Sequence, residues 1–415
     1  MENKNYCILP WIHMHIWPDG TTFPCCLAKH DYQLGNTNNK SFKELWNSDK
    51  MRELRLNVLN DVPTDGCSRC YEHESNGVRS MRMNMNHQFE HFNSRTALTK
   101  EDGSLDDIFM GYMDIRFSNI CNFRCRSCGP ELSSNWHDDS VKLGRRNGKE
   151  KRILKVKRSL DELWDDMESW IDTVEHLYFA GGEPLIMDEH YKILEHLINI
   201  GKTDIYISYN TNLSKLKYKN KNVIDLWRHF DRIRVDASID AMGEVGEYVR
   251  TGTVWEEIEQ NARTITRELR NVEFGITPTI SALNAEHAPD FFDHWVQKGI
   301  IEPDRIHVNT LLFPEYLRAQ VLPRYKRKQI QKRWQKYIDD YDLENEDTQR
   351  RCLPEMQGFI RSLDTDKTEL QDKFLEYISS IDKIRNEDVM QIIPSLRCLK
   401  PGPVGRIVNR IRDLL

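Results

Sequence analysis

The sequence predicts an α/β protein whose core is an incomplete barrel of six strand–helix units, (βα)6, preceded by a small cysteine-containing module and followed by a helical region. Three observations support this prediction. Six apolar segments rich in β-branched and aromatic residues lie between positions 111 and 313, amphipathic helical patterns separate most of them, and the residue pattern changes on either side. At 415 residues, the chain is long enough for two or three domains.

The six strand candidates are "GYMDIRFSN", "VEHLYFAGG", "DIYISYNTN", "RIRVDASID", "VEFGITPTI" and "DRIHVNTLLF". Between the first two lies "SLDELWDDMESWID", whose apolar residues share one helical face and whose Ser159 is a candidate N-cap. Strand and helix in alternation predict a parallel sheet with right-handed crossovers. Six units make a partial TIM barrel, because the complete barrel has eight.

Composition and charge exclude several classes of protein. Hydrophobic residues make up 39% of the chain and charged residues 30%, with no apolar run long enough to cross a bilayer. The first residues lack the pattern of a signal peptide, so we expect a cytoplasmic protein without a membrane partner. The net charge of -6 argues against general nucleic-acid binding. Ten cysteines in a reducing compartment point to metal or cluster ligation rather than to structural disulfides.

The segment "SNICNFRCRSCGPEL" places Cys121, Cys125 and Cys128 in a C-x3-C-x2-C pattern. A structural zinc site uses four protein ligands, whereas a cubane iron–sulfur cluster needs one ligand per iron. Three thiolates would therefore leave one iron open to a substrate or cofactor. A zinc knuckle completed by a distant His or Cys is the alternative.

Polar and glycine-rich clusters follow the predicted strands, where active-site residues of barrels lie. The three-cysteine loop follows the first strand, and "GGEP" closes the second. "YNTN" ends the third, and "SID" ends the fourth. We therefore expect all four clusters at the same rim of the barrel.

The C-x3-C-x2-C loop together with GGEP resembles the radical S-adenosylmethionine (radical SAM) superfamily, over residues 108–315. The resemblance implies that Cys121, Cys125 and Cys128 hold a [4Fe-4S] cluster whose open iron binds SAM. One electron, from an external flavodoxin- or ferredoxin-like reductant, would cleave SAM to methionine and a 5'-deoxyadenosyl radical. That radical would abstract hydrogen from the substrate.

The same resemblance implies contacts to SAM. Gly181 and Gly182 would let the protein backbone approach the methionine end of SAM, because a side chain there would obstruct it. Glu183 would accept a hydrogen bond from the ammonium group of SAM, and Pro184 would stiffen the turn. Ser127 stands where the family often has a bulky residue, and Phe123 is a candidate for stacking on adenine. Further candidates, each also consistent with an ordinary polar loop, are Asn210, Asn212, Ser238, Asp240 and, for the SAM carboxylate, Arg250.

The first 95 residues contain a second cysteine set. Cys7, Gly20 and Cys25 form a C-x12-G-x4-C pattern followed by "CSRC", which resembles the SPASM/twitch auxiliary-cluster module, here placed before the barrel. Gly20 would turn a hairpin that brings the first two cysteines together, and Cys67 and Cys70 would complete an auxiliary [4Fe-4S] site. Cys26 in place of Cys25, and zinc in place of the cluster, are alternatives. His13 and His15 share a strand face, and we expect both to be ordinary packed or exposed residues.

Residues 320–415 are predicted to be helical and to pack on the barrel. Their amphipathic faces include Ile330 and Trp334 in one helix and Phe374 and Ile378 in another, and the isolated Cys352 and Cys398 are expected to be small buried residues. Residues 142–158 contain nine Lys or Arg and one Glu. This segment is either a solvated loop or an attractor for an acidic peptide or nucleotide.

The expected function is that of a radical SAM enzyme that modifies a peptide or protein by crosslinking or side-chain oxidation. Dehydrogenation of a small alcohol or sugar is an alternative. An alternative of another class is a non-catalytic iron–sulfur or zinc protein that carries electrons or acts as a scaffold. The pattern assigns no residue as a catalytic side chain.

Overall fold

The computed structural model describes residues 3–75, 79–345 and 352–399. The strands in these ranges are β1 (His13–Ile16), β2 (Thr21–Phe23), β3 (Gly35–Asn36), β4 (Tyr112–Ile115), β5 (His176–Phe179), β6 (Tyr206–Thr211), β7 (Lys217–Tyr218), β8 (Lys221–Asn222), β9 (Arg232–Ala237), β10 (Val272–Ile276), β11 (Thr279–Ile280) and β12 (Asn309–Thr310).

The α-helices of the same ranges are α1 (Phe42–Trp46), α2 (Asp49–Leu59), α3 (Ser68–Ser75), α4 (Met81–Gln88), α5 (Trp136–Lys142), α6 (Leu160–Met167), α7 (Asp188–Asn199), α8 (Val223–Trp227), α9 (Gly243–Val249), α10 (Trp255–Glu268), α11 (Ala288–Gln297), α12 (Arg324–Asp340), α13 (Cys352–Ser362), α14 (Gln371–Arg385) and α15 (Val389–Ile392).

The main sheet has eight strands in the order β10-β9-β6-β5-β4-β1-β2-β3. Strands β1, β4, β5 and β6 pair in parallel, whereas β2 and β3 add an antiparallel edge. The N-terminal strand β1 thus continues the parallel sheet through β4. A central parallel sheet with helices between its strands confirms the α/β class and is consistent with a partial barrel.

Five of the six predicted core strands lie in the main sheet, and the sixth is short. Within "DRIHVNTLLF", only Asn309–Thr310 forms a strand, and it pairs with β11 in a separate two-stranded sheet. Pro278 separates β10 from β11, and proline cannot donate the N–H that a continuous ladder needs. A single parallel bridge, Ile276 to Ile306, joins β10 to the segment before β12.

The chain divides into two compact units. The first comprises Met1–Ile120, Ile153–Tyr209 and Lys219–Ile233, and the second comprises Cys121–Arg152, Asn210–Tyr218 and Arg234–Leu415. Strands β6 and β9 each begin in the first unit and end in the second. The domain boundaries expected from sequence, at 1–95, 108–315 and 320–415, stay predictions.

Local signals in the first unit confirm two expectations. Gly20, at a φ of +87°, turns the chain between the antiparallel strands β1 and β2. Ser159 caps α6, because its side chain accepts a hydrogen bond from the Glu162 backbone N–H at 3.1 Å.

The C-terminal helices of the second unit pack with the faces that their patterns predict. In α12, Ile330 and Trp334 are buried, and in α14, Phe374 and Ile378 are buried. Cys352 is also fully buried, as expected for a small apolar residue. None of the helices in the described ranges is both long and apolar enough to traverse a bilayer.

Candidate cofactor site

The three-cysteine loop lies in the second unit, between β4 and α5, and N–H groups point at its sulfur atoms. The Phe123 backbone N–H donates to Cys121 Sγ at 3.4 Å, and Arg250 Nη1 donates to Cys125 Sγ at 3.7 Å. Asn212 Nδ2 lies 4.0 Å from Cys121 Sγ. Hydrogen bonds to sulfur stabilise thiolates and tune iron–sulfur clusters. The donors around this loop therefore fit a cluster held by thiolates.

Burial controls the protonation of these cysteines. It raises the pKa of Cys128 to about 12, with a further contribution from the neighbouring Cys125 thiol. It also raises the pKa of Cys125, against the opposing charge of Arg250. Such thiols keep their protons unless a metal replaces them, because metal ligation requires the thiolate.

Buried hydrogen bonds fix the backbone of the loop. Trp136 Nε1 donates to the Cys125 carbonyl at 2.8 Å, and the Tyr377 hydroxyl of α14 donates to the Arg126 carbonyl at 2.6 Å. The backbone N–H of Arg126 donates to the Val249 carbonyl at 2.9 Å. Helices α5, α9 and α14 therefore hold the loop in place.

The second unit brings Asp240 and Arg250 together beside the loop. Arg250 Nη2 donates to Asp240 Oδ1 at 2.9 Å, and its Nε lies 2.8 Å from Asp240 Oδ2. The Thr279 backbone N–H donates to the same carboxylate at 2.8 Å. Burial alone would lower the pKa of Arg250, but the charges of Asp240 and Cys125 raise it. The guanidinium therefore stays charged, with Asp240 on one side and a cysteine sulfur on the other.

The remaining candidates of the second unit have different surroundings. Asn212 donates to Asn122 Oδ1 at 2.9 Å, which places it against the cysteine loop. Asn210 and Ser238 are partly exposed at the ends of β6 and β9. Phe123 is fully buried, and its ring contacts the place where a side chain at Gly252 would begin.

The GGEP turn lies in the first unit, and its glycines occupy positions that exclude side chains. Gly181 has a φ of +78° and Gly182 a φ of +49°. A Cβ on Gly182 would lie 2.3 Å from the carbonyl oxygen of Ile120, the residue directly before Cys121. The Glu183 backbone N–H donates to that carbonyl at 2.8 Å. Glu183 is buried and accepts from the Leu185 N–H at 3.0 Å, while Pro184 begins a short 3-10 helix.

The auxiliary cysteines lie in the first unit as electrostatic neighbours. Burial and the Cys67 thiol raise the pKa of Cys7 to about 12, and burial and Cys70 raise that of Cys67 to about 11. The pKa of Cys25 is also raised by burial, by Cys26 and by Cys7. These four thiols would all need to lose protons on binding a metal.

Cys26 has different neighbours from Cys25. Its Sγ lies 3.5 Å from Met81 Sδ, and its pKa of about 12 reflects burial first and the Asp114 carboxylate second. Cys25 is coupled electrostatically to Cys26, Cys7 and Cys67, whereas Cys26 is coupled to Asp114, Arg116 and Cys70.

In the described ranges, no three His, Cys, Asp or Glu side chains are arranged to hold a single metal ion. A tetrahedral zinc site with Zn–S bonds near 2.3 Å would need its sulfur atoms about 3.8 Å apart. In a cubane cluster, each cysteine sulfur binds a different iron, so the sulfur atoms need not surround a single metal ion.

Two features near these residues are not anticipated by the motifs. One is a buried pair, His15 and Asp114, with Arg116 beside it. The sequence pattern that could have revealed this group is the alternation of polar and apolar residues in "HMHI" and "YMDIRF". This alternation places the three side chains on one face of adjacent strands. The other is the support of the cysteine loop by α14, which comes from positions about 250 residues away in sequence. No local pattern could reveal that contact.

The basic segment 142–158 makes ordinary ion pairs. Arg146 pairs with Glu131 at 2.9 Å, and Lys157 pairs with Asp166 at 2.6 Å. Arg152 pairs with Asp138. These pairs neutralise part of the segment's charge and support its interpretation as a loop rather than as a docking site.

Two family models match the chain. Residues 7–71 match the SPASM model, an iron–sulfur cluster-binding domain, and residues 115–294 match the model of the radical SAM superfamily. Together they span more than half of the chain. The order of the two domains agrees with the expected N-terminal position of the auxiliary module.

Individual relatives are more distant. GTP 3',8-cyclase of Campylobacter lari is 25% identical over 207 residues, which is 50% of this chain and 55% of the relative. The chain thus spans about half the length of this curated relative.

Solved structures are also similar in part. The structure of native anSMEcpe with bound AdoMet is 18% identical, covering 55% of this chain and 61% of that one, at a TM-score of 0.38. Streptococcus suis SuiB bound to precursor peptide SuiA is 14% identical, covering 71% and 64%, at a TM-score of 0.36. These TM-scores are too low to indicate a shared global fold.

The radical SAM match contains the three-cysteine loop and the GGEP turn, and the SPASM match contains all four candidate auxiliary cysteines. The cofactors of these domains are a [4Fe-4S] cluster with S-adenosylmethionine, and auxiliary iron–sulfur in the SPASM domain. The chain therefore has a radical SAM domain, matched over residues 115–294, and a SPASM domain N-terminal to it, matched over residues 7–71.

Proposed function

We propose that this enzyme cleaves SAM reductively and abstracts hydrogen from a peptide or protein substrate, with Cys121, Cys125 and Cys128 as the ligands of the SAM-binding cluster. The observation that carries the proposal is the hydrogen bond from the Glu183 N–H to the carbonyl of Ile120 at 2.8 Å. It joins the GGEP turn to the residue that precedes the first cluster cysteine. When bound, the cluster and SAM supply the radical chemistry, and the protein binds, orients and excludes water.

The surrounding residues have distinct roles in this proposal. Gly181 and Gly182 leave room for the methionine end of SAM, Pro184 stiffens the turn, and Glu183 accepts from the SAM ammonium group. Arg250 steadies Cys125 through its sulfur hydrogen bond. A SAM carboxylate would have to share that guanidinium with Asp240.

The remaining contacts to SAM are proposed at the strand ends. Asn210, Asn212 and Ser238 would orient its ribose and carboxylate. Phe123 is too deeply buried to offer its ring without movement, so its stacking on adenine has the least support.

We further propose that Cys7, Cys25, Cys67 and Cys70 hold an auxiliary [4Fe-4S] cluster. Four thiolates leave no iron open, which suits electron transfer or structural support rather than substrate chelation. Such a site could accept the electron that an oxidised substrate releases. A flavodoxin- or ferredoxin-like protein in the cytoplasm would supply the initial electron.

Peptide or protein modification is the substrate class we favour, because SPASM/twitch enzymes most often act on peptides. A small-molecule substrate is the second candidate, and the match to GTP 3',8-cyclase over 207 residues favours it. The two candidates predict different hydrogen donors, which are cellular peptides for the first and cellular metabolites for the second.

Anaerobic reconstitution tests the cofactor assignment. We expect about eight irons per chain, four for each cubane, and release of 5'-deoxyadenosine when SAM and a reductant are added. Alanine at Cys121, Cys125 or Cys128 should abolish this release, whereas the control Cys398→Ala should not change it. Bound zinc without turnover would instead establish the non-catalytic alternative.

Deuterium transfer tests the substrate class. The reduced enzyme and unlabelled SAM are incubated with either the peptides or the metabolites of cells grown in deuterated medium. Deuterium in 5'-deoxyadenosine from the peptide fraction alone supports peptide modification. Label from the metabolite fraction alone would replace it with the small-molecule alternative.

A further inference from the structure

One face of the parallel sheet in the first unit is polar, although both faces are largely covered. The opposite face carries the fully buried Met14, Met113, Leu177 and Ile207. Strands buried on both sides usually read as continuous apolar runs, and small barrels usually fill their interiors with branched apolar side chains. The polar face therefore departs from the usual pattern of a buried strand.

Four aromatic rings form the first layer of this polar face. His13 stacks on Tyr112 at 4.5 Å between centroids, Tyr112 stacks on His176 at 4.7 Å, and His176 contacts Tyr206 at 4.7 Å. These residues are register partners on β1, β4, β5 and β6. The rings thus form a continuous layer across four strands.

The second layer, two residues further along the strands, contains a fixed negative charge. His15 Nδ1 lies 2.8 Å from Asp114 Oδ2, and the two side chains are 3% and 1% exposed. Burial would raise the pKa of Asp114, but His15 and Arg116 lower it to about 2. Asp114 is therefore ionised at neutral pH, and its Oδ1 has no hydrogen-bond partner in the described ranges.

Arg116 follows directly after β4 and has unused hydrogen-bonding capacity. Its Nε lies 3.8 Å from Asp114 Oδ1, which is beyond hydrogen-bond distance. Its guanidinium makes no hydrogen bond to any residue in the described ranges, yet the side chain is only 22% exposed. A guanidinium offers five donors in a planar fork suited to a carboxylate, and the ion pair with Asp114 at 3.8 Å satisfies none of them with a hydrogen bond.

The stem of Arg116 lies against the GGEP turn. A Cβ on Gly181 would be 2.7 Å from Arg116 Cβ and 2.9 Å from its Cγ, so only glycine leaves room for this stem. On the auxiliary side, the charges of Asp114 and Arg116 both influence the pKa of Cys26. Arg116 thus neighbours both the turn proposed to bind SAM and the auxiliary cysteine module.

We infer that Arg116 binds a carboxylate of the substrate at this position, beside the buried pair of Asp114 and His15. The inference rests on the proposed function, because it places the substrate beside the GGEP turn. The nearby Asp114 charge favours a monoanion over a phosphate dianion. The same chemistry could come from the carboxylate of SAM itself, and the polar layers next to Arg116 favour a second molecule.

Acetate is the probe, and acetamide is its neutral counterpart. Saturation-transfer difference NMR on the reconstituted, oxidised enzyme with SAM should detect acetate but not acetamide. Arg116→Gln should weaken acetate binding about ten- to a hundredfold, the range for hydrogen bonds to charged groups. Arg116→Lys should keep part of it, because lysine retains the charge without the fork. The matched control is Arg52→Gln, since Asp49 and Asp102 already occupy that guanidinium at 2.6 and 2.8 Å.

Several results would overturn the inference. Equal acetate binding by wild type and Arg116→Gln would do so, and so would equal binding of acetamide. Acetate binding that is detected only when SAM is left out, with a parallel loss of SAM affinity in Arg116→Gln, would assign the carboxylate to SAM instead. The monoanion assignment would be contradicted if phosphate displaced acetate and bound at a lower concentration than acetate does.

A second variant tests the inference if Arg116→Gln does not fold. Asp114→Asn removes the like charge beside the site and should strengthen acetate binding several-fold; unchanged or weaker binding contradicts the inference. The probe needs no turnover, so its outcome is separable from the proposed function. An enzyme that releases 5'-deoxyadenosine but binds acetate independently of Arg116 refutes only the carboxylate site.

Discussion

Replacing Arg126 with methionine tests how the second unit holds the cysteine loop. The Arg126 side chain is fully buried, and its Nη2 donates to Asp382 Oδ1 of α14 at 2.8 Å and also pairs with Glu387. Its Nε donates to the Tyr248 carbonyl at 3.0 Å, and its guanidinium carbon lies 3.5 Å from the centre of the Tyr248 ring. Arg126 thus links the loop to α14.

The expected cost follows from the charges left behind. Methionine preserves much of the packing of the stem but leaves Asp382 and Glu387 without their cation. Removing one partner of a buried ion pair costs about 3–5 kcal/mol. Asp382 still accepts from the Tyr248 hydroxyl at 2.8 Å and from the Val389 N–H at 2.9 Å, and Glu387 is 23% exposed. We therefore expect a loss of about 3 kcal/mol, at the lower end of that range.

Anaerobic urea unfolding of the reconstituted enzyme measures this loss, and iron analysis measures its effect on the cluster. The control is Arg228→Met, an arginine 48% exposed and paired with Asp225, for which we expect a change below about 0.5 kcal/mol. Adding Asp382→Asn and Glu387→Gln to Arg126→Met should recover part of the stability. An Arg126→Met enzyme as stable as the control, with full iron content, would refute the reasoning.

Three further predictions concern other parts of the molecule. Cys67→Ala should lower the iron content from about eight to about four per chain while SAM cleavage persists, whereas Cys26→Ala should keep about eight; a loss of about four irons in Cys26→Ala would make Cys26 a ligand. Gly182→Ala should weaken SAM binding at least tenfold in equilibrium dialysis, because its Cβ would meet the Ile120 carbonyl; Gly201→Ala, at a φ of +74° with open space around it, controls for backbone strain. Burial lowers the pKa of His13 to about 4, below its unfolded value, so stability should fall by about 2 kcal/mol between pH 7 and 5 on this account. The slope of the urea midpoint against pH should be shallower in His13→Gln and unchanged in His229→Gln, whose histidine is exposed; equal slopes in the two variants would contradict this assignment.

Features set by neighbouring residues were predictable from the sequence. The cap at Ser159, the turn at Gly20 and the buried face of α12 each depend on residues only a few positions apart. Chain-local geometry decides such features, so the pattern contains the necessary information. The spacing of Cys121, Cys125 and Cys128 is of the same kind.

Features that depend on pairing between distant segments were not predictable. β1 joins β4 across nearly a hundred residues, and Asn309–Thr310 pairs only with β11 after Pro278 interrupts the strand. The contact of α14 with Arg126 likewise joins residues far apart in the chain. Register and helix docking depend on how whole surfaces fit together, which no single segment encodes.

The sequence by itself determined the spacing of the cysteines, the glycine turn that tolerates no side chain and the alternation that puts polar residues on one strand face. Only the tertiary structure decided which polar residues have hydrogen-bond partners. Arg250 is paired with Asp240, whereas the guanidinium of Arg116 has no hydrogen bond in the described ranges. The physical reason is that a charge's environment depends on the groups that folding brings within a few ångströms of it, and those groups come from separate strands.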